Sequence, residues 1–188
     1  MMNLYMLKLG ATPRGRLIEQ HDVFFGIGKC VADLIPYFEQ SWSEIKDIWH
    51  IDAYRAVNYV GDYQVQVVCR DDFVDNGLSL FFINMGGYQA GHFEEYHHKM
   101  LVVAKSVSEA IAIAKKSEFY QEFSVDERAV SHIDNKYGVD VDDIHQVFDV
   151  LSDDFRALYA LQITPCDHPK DDEMVIGYLP KKLFVAQD

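Results

Sequence analysis

The chain lacks most of what a nucleic-acid or membrane protein requires. Its 188 residues include 17 Lys and Arg against 30 Asp and Glu, a net charge of −13. No cluster or stripe of cations stands out, although phosphate backbones and anionic lipids both need one. Neither nucleic acid nor membrane is therefore expected as a partner. No window offers the roughly 18 uncharged apolar residues of a membrane span. The first residues, Met1 to Leu9, lack the positive start, long apolar core and cleavage site of a leader, so a cytoplasmic location is expected. Cysteine is scarce too. Cys30, Cys69 and Cys166 are far apart and form no Cys-x-x-Cys pair, which argues against a disulfide framework and a zinc knuckle.

Familiar catalytic motifs are also missing. Gly10 and Gly15 have the spacing of a phosphate loop, but Arg16-Leu17 stands where Lys-Ser or Lys-Thr is required. Gly26-Ile27-Gly28 lacks the third glycine of a dinucleotide fingerprint. Asp140, Asp142 and Asp143 lack the glycine and the closing glutamate of a calcium loop. No Gly-x-Ser-x-Gly elbow occurs. What the chain does have is apolar content: 49% of its residues are hydrophobic and 13% aromatic, enough for a sizeable core.

It also has an internal repeat. Residues 4–35 shifted by 76 fall on residues 80–111 without a gap, with 8 identities in 32 positions where chance supplies about 2. Leu4 meets Leu80, Gly10 meets Gly86, Gly15 meets Gly91, Glu19 meets Glu95 and His21 meets His97. Further on, His50-Ile51-Asp52 matches His132-Ile133-Asp134 at a shift of 82, which requires a six-residue insertion in the second copy.

Periodicity supplies the elements. Leu4–Leu9 and Leu80–Met85 are apolar runs ending in glycine, read as strands, with second strands over Asp22–Gly28 and Lys99–Ala104. Val31, Leu34, Ile35 and Phe38 then recur at helical spacing, as do Val107, Ala110, Ile111 and Ala114, the latter behind a Ser106/Glu109 capping box. Trp49–Val57 and Tyr63–Cys69 alternate and read as a hairpin closing around Gly61. Asn135–Asp143 reads as an acidic turn, Val150–Ala157 as a short helix and Leu158–Ile163 as a strand, with an edge strand within Met174–Phe184.

The expected fold is therefore α+β: a tandem duplication of a strand-strand-helix-strand-strand unit, two copies packed about a pseudo-two-fold axis. The divisions are 1–70 and 80–165 for the repeats, 71–79 for the connector and 166–188 for an extension, all in one globular unit. The segments from Gly15 to Ile27 and from Asp134 to Ile144 resemble the signature of a bacterial family catalogued as domain of unknown function 1543. The resemblance extends over residues 3–163, and it implies kinship without bringing an activity.

Glu-x-His occurs in both copies. On a strand, positions i and i+2 point to one face, so Glu19 with His21, and Glu95 with His97, each present a carboxylate beside an imidazole. Such pairs suit zinc, iron or manganese, and the His-x-Asp pairs His50/Asp52 and His132/Asp134 could add ligands. A carboxylate beside a histidine can equally do no more than fix its tautomer and satisfy buried hydrogen bonds. Arg14 and Arg16 could hold an anion on the first glycine loop, or that loop could be turn geometry alone. The leading reading is a non-catalytic protein that binds a small ligand or partner and forms a homodimer. The alternative is a metal-binding protein or metal-dependent enzyme using the Glu-x-His pairs and a divalent cation.

Overall fold

The computed structural model of the chain describes residues 1–88, 91–117 and 139–185. It is an α+β fold that divides into two compact units. One comprises Met1–Val74 with Leu151–Asp188, the other Asp75–Val150.

The first unit holds two antiparallel sheets. β1 (Asn3–Ala11), β2 (Gln20–Gly28), β3 (His50–Ala56) and β10 (Val175–Pro180) form one, in the order β10-β3-β1-β2. β4 (Tyr59–Val60), β5 (Tyr63–Cys69) and β9 (Tyr159–Pro165) form the other, in the order β4-β5-β9. Period-two alternation gives β1 two faces. Leu7, Leu9 and Ala11 are buried, while Met6 and Lys8 on the other face are half-buried. The buried face packs with Leu34, Phe38, Ile45 and Ile51, each such side chain contributing about 1.5–3 kcal/mol. Phe38 lies at the middle, edge-on to Phe24 at 5.9 Å and to Trp49 at 4.8 Å.

The strand runs read from the sequence are present: β1, β2 and the strands over Ser79–Tyr88 and Glu95–Ala104 run longer than expected, β5 has the expected bounds and β3 is slightly shorter. The hairpin around Gly61 is corrected. It joins β4 to β5, whereas β3 pairs with β1 in the other sheet. β9 was expected at the end of the second repeat, but its strand partner is β5. β10 is an edge strand with Pro180 as its last residue, where a missing donor costs no ladder bond.

The second unit holds a three-stranded sheet, β7-β6-β8, made of β6 (Ser79–Tyr88), β7 (Glu95–Ala104) and β8 (Val139–Gln146). The helix Val107–Ala114 follows β7, and its Ala110 and Ala114 are buried in a core with Phe81, Ile83, Met85, Val102 and Ala104. The expected cap is present: Glu109 N–H donates to Ser106 Oγ, and Glu109 Oε2 accepts from Lys105 N–H at 2.8 Å. In the first unit Asp33 Oδ2 accepts from Lys29 N–H at the same 2.8 Å, and also from Cys30 N–H. These backbone donors lower the Asp33 carboxyl below its ordinary value.

The segment from Asn135 to Asp143 was expected as an acidic turn, yet residues from Val139 onward are strand. Val141 and Ile144 of this strand pack against the core, so acidic composition did not prevent β structure.

Candidate metal centre

In the first unit the candidate site lies at one end of the face of β1 that carries Lys8 and Gly10. Gly10 pairs with His21 of β2 on one side and with His50 of β3 on the other. Glu19 ends the loop leading into β2. Asp52 is the extra residue of a β-bulge, since Leu9 pairs with Ile51 and Lys8 with Ala53. A bulge turns a side chain away from strict alternation, here toward the two histidines.

The four side chains converge. His21 Nε2 lies 3.2 Å from Glu19 Oε2 and 3.1 Å from Asp52 Oδ2. His50 Nε2 lies 3.2 Å from Glu19 Oε1 and 3.2 Å from Asp52 Oδ1. These are hydrogen-bond lengths, yet His50 Nε2 and Asp52 Oδ2 are buried and make no hydrogen bond among the described residues. The His50 side chain is 4% exposed, with Tyr178 stacked on its ring at 4.3 Å between centroids. An orphaned polar atom in such a place has to be explained. Donors bound to one ion at about 2.1 Å sit roughly 3.0 Å apart in an octahedron and roughly 3.4 Å apart in a tetrahedron. The four histidine–carboxylate separations fall within that span, each histidine facing a different oxygen of each carboxylate, so an ion there would draw the two carboxylates together. Lys8 Nζ lies 3.6 Å from Asp52 Oδ2 and brings a cation to the group.

The second unit repeats the frame with a looser set. Gly86 pairs with His97 and Asp140, and Asp142 is the bulge residue, as Met85 pairs with Val141 and Asn84 with Asp143. Glu95, His97 and Asp142 offer ligand atoms within 4.8 Å of one another. His97 Nε2 is 3.8 Å from Glu95 Oε2 and 3.6 Å from Asp142 Oδ2. Tyr88, opposite Glu95, is held above its ordinary value by a hydrogen bond to that carboxylate, then by desolvation and by the negative charge of Glu95 and Asp142.

Of the residues singled out from the sequence, Glu19, His21, His50 and Asp52 are brought together, and Glu95 and His97 are joined by Asp142. His132 and Asp134 lie outside the described residues. The strand position of His50–Asp52 is filled in the second unit by Asp140–Asp142, an offset of 90 rather than the 82 read from the tripeptide match. Arg14 and Arg16 lie exposed on a loop turned by Gly15 at φ +88°, and their side chains make no ion pair among the described residues. Gly91 at φ +80° turns the matching loop. Sequence reading missed Asp142, Lys8 and Tyr178. For Asp142 a signal existed, since both bulges read apolar-Asp, Ile51-Asp52 and Val141-Asp142.

Among the described residues no helix is long and apolar enough to cross a membrane. No curated protein matches the chain. Among solved structures it is similar to that titled "Crystal structure of a protein Il1583 from Idiomarina loihiensis", at a TM-score of 0.60 and 21% identity, covering 96% of this chain and 98% of that one. At that identity the likeness concerns the fold alone. Residues 16–67, which carry all four converging side chains of the first unit, match the family described as Domain of Unknown Function (DUF1543), and the chain resembles that family.

Proposed function

We propose that the first unit is a divalent-metal site in which Glu19, His21, His50 and Asp52 are the ligands, and that the chain arose by duplication of this unit. The observation that carries the reading is His50 Nε2, buried, aimed between two carboxylates and without a hydrogen bond. A histidine kept only for folding would satisfy that nitrogen, because an orphaned buried donor or acceptor costs about 1–3 kcal/mol. A ligand to zinc, iron or manganese needs the nitrogen bare and in this direction. Support for duplication comes from register. Asn3 pairs with Gly28 as Ser79 pairs with Ala104, and both third strands bulge at an aspartate. The sequence-level reading of a non-catalytic ligand- or partner-binding dimer has no feature of comparable specificity.

The test is metal analysis of the purified protein after exposure to Zn²⁺ and Mn²⁺, beside His50→Ala. One tightly held ion per chain in the wild type, lost in the variant, is expected. A wild type that retains no ion would defeat the proposal.

A further inference from the structure

Resting on that metal reading, we propose that the first-unit site takes a phosphate-bearing small molecule, with Lys8 and Arg55 as its cationic partners. Residues paired across antiparallel strands point to one face. Gly10 with His21 and His50 makes one row. Lys8 with Ala53 makes the next, and Met6 with Arg55 the one after. Successive rows on one face are about 7 Å apart, which puts Lys8 one row and Arg55 two rows, about 14 Å, from the histidines, so that Arg55 would meet the far side of a bound phosphate. Lys8 Nζ already touches the metal quartet through Asp52. Arg55 is half-buried and makes no ion pair or hydrogen bond among the described residues.

Charge decides what such a site accepts. A divalent cation and the carboxylates of Glu19 and Asp52 cancel, so the loaded site keeps the charges of Lys8 and Arg55. That is two positive charges on one sheet face of a chain with net −13. A phosphate monoester, with about −1.5 to −2 at neutral pH and three acceptor oxygens, complements it better than a carboxylate does. The second unit offers an internal contrast. Asn84 stands where Lys8 does and donates to Asp143 at 3.2 Å, and His145 pairs with Phe82 as Arg55 pairs with Met6. Lys99 of β7 pairs with Asn84 and brings a cation to that row, so the second frame differs from the first in lacking a counterpart of Arg55.

The test uses Mn²⁺-loaded protein and inorganic phosphate, whose phosphorus NMR relaxation accelerates when it sits beside the paramagnetic ion. Manganese content is measured first. Wild type and Lys8→Met are expected to hold the first-unit ion alike, with phosphate bound about tenfold more weakly in Lys8→Met and partly restored in Lys8→Arg. Arg55→Met is expected to weaken phosphate in the same direction. Retained manganese with unchanged phosphate relaxation in Lys8→Met and Arg55→Met overturns the inference and leaves the metal site standing. Loss only on substituting Arg14 and Arg16 moves the anion to the loop and overturns it as well. A wild type that holds no manganese removes the metal reading and this inference with it.

Discussion

Gly10 and His50 face each other so closely that no side chain fits between them. A Cβ built on Gly10 would lie 2.4 Å from His50 Nε2 and 2.8 Å from its Cε1. The glycine is there because the imidazole lies flat across the strand, with Tyr178 on the ring as well. Gly86 does the same for Asp142, whose Oδ2 would lie 2.3 Å from an added Cβ. In both units the empty position belongs to the candidate site, and neither glycine has a φ that needs one.

Gly10→Ala should therefore damage the site more than the fold. The methyl group drives the His50 ring aside, and the surrounding strand can keep its register. Metal affinity is expected to fall by about tenfold or more, a cost comparable to misplacing one ligand. Thermal unfolding without metal should move much less. Calorimetric titration with Zn²⁺ beside a melting curve checks both, and an unaltered affinity would contradict the placement of His50 at the ion.

Removing the imbedded imidazole separates a ligand from a folding determinant. If His50 is a ligand, His50→Gln should melt without metal within a few degrees of the wild type, because the glutamine amide can reach the two carboxylates that His50 Nε2 meets at 3.2 Å. The wild type at metal concentrations near 100 times its dissociation constant should gain about 2.7 kcal/mol, and the variant almost none. At roughly 2–4 °C per kcal/mol for a chain of this size, that is a gain of about 5–10 °C in the wild type. A metal-free variant that melts far lower, with no metal-dependent gain in either protein, would make the pair structural.

The tail of the first unit is fastened by charge. Lys181 Nζ lies 3.0 Å from Glu39 Oε1 and 2.6 Å from Asp47 Oδ1, and Trp49 Nε1 donates to the same Glu39 oxygen at 2.6 Å. Burial pushes Glu39 up, but the hydrogen bonds from Trp49 and Lys181 outweigh it and hold the carboxyl below its ordinary value. The hydrogen bond from Lys181 lowers Asp47, and the one to Asp47 does most to raise Lys181. The carboxylates thus stabilise the fold above their unfolded values, and that contribution is lost as pH falls through their lower folded ones. The Lys181 contribution is complete below its unfolded value and fades as pH rises through the raised one. Lys181→Met is expected to cost about 1 kcal/mol near neutrality. Melting curves at neutral pH and near pH 3 should show the gap between variant and wild type closing on the acid side.

Much of this was readable from residue order. The ungapped repeat of residues 4–35 and 80–111 reappears as identical strand pairing, because a period-two pattern pins register wherever one face is buried. Glu19, His21, His50 and Asp52 were all singled out as Glu-x-His and His-x-Asp pairs. What could not be read was which pairs meet. His50 reaches His21 only because β3 lies beside β1, and strand order is a long-range property that no local pattern encodes. The match of His50-Ile51-Asp52 to His132-Ile133-Asp134 led away from Asp142, since identity outweighed the apolar-Asp rhythm that the bulge uses. Lys8 and Tyr178 escaped notice because their place beside the site depends on a row of the sheet and on β10, which begins at Val175, 125 residues after β3 begins at His50.

The two units should then differ in what they hold. The second offers one imidazole and two carboxylates at 3.6 and 3.8 Å, and all three side chains are about one-third exposed. The position of His50 is taken by Asp140 in the pairing with Gly86. Fewer nitrogen ligands and looser spacing favour harder ions and weaker binding. Titration with Zn²⁺ is expected to show one tight ion, with a second at least about tenfold weaker that Asp142→Ala removes without touching the first. Mn²⁺ should discriminate less between the two. If Asp142→Ala instead abolished the tight ion, the assignment of that ion to Glu19, His21, His50 and Asp52 would be wrong.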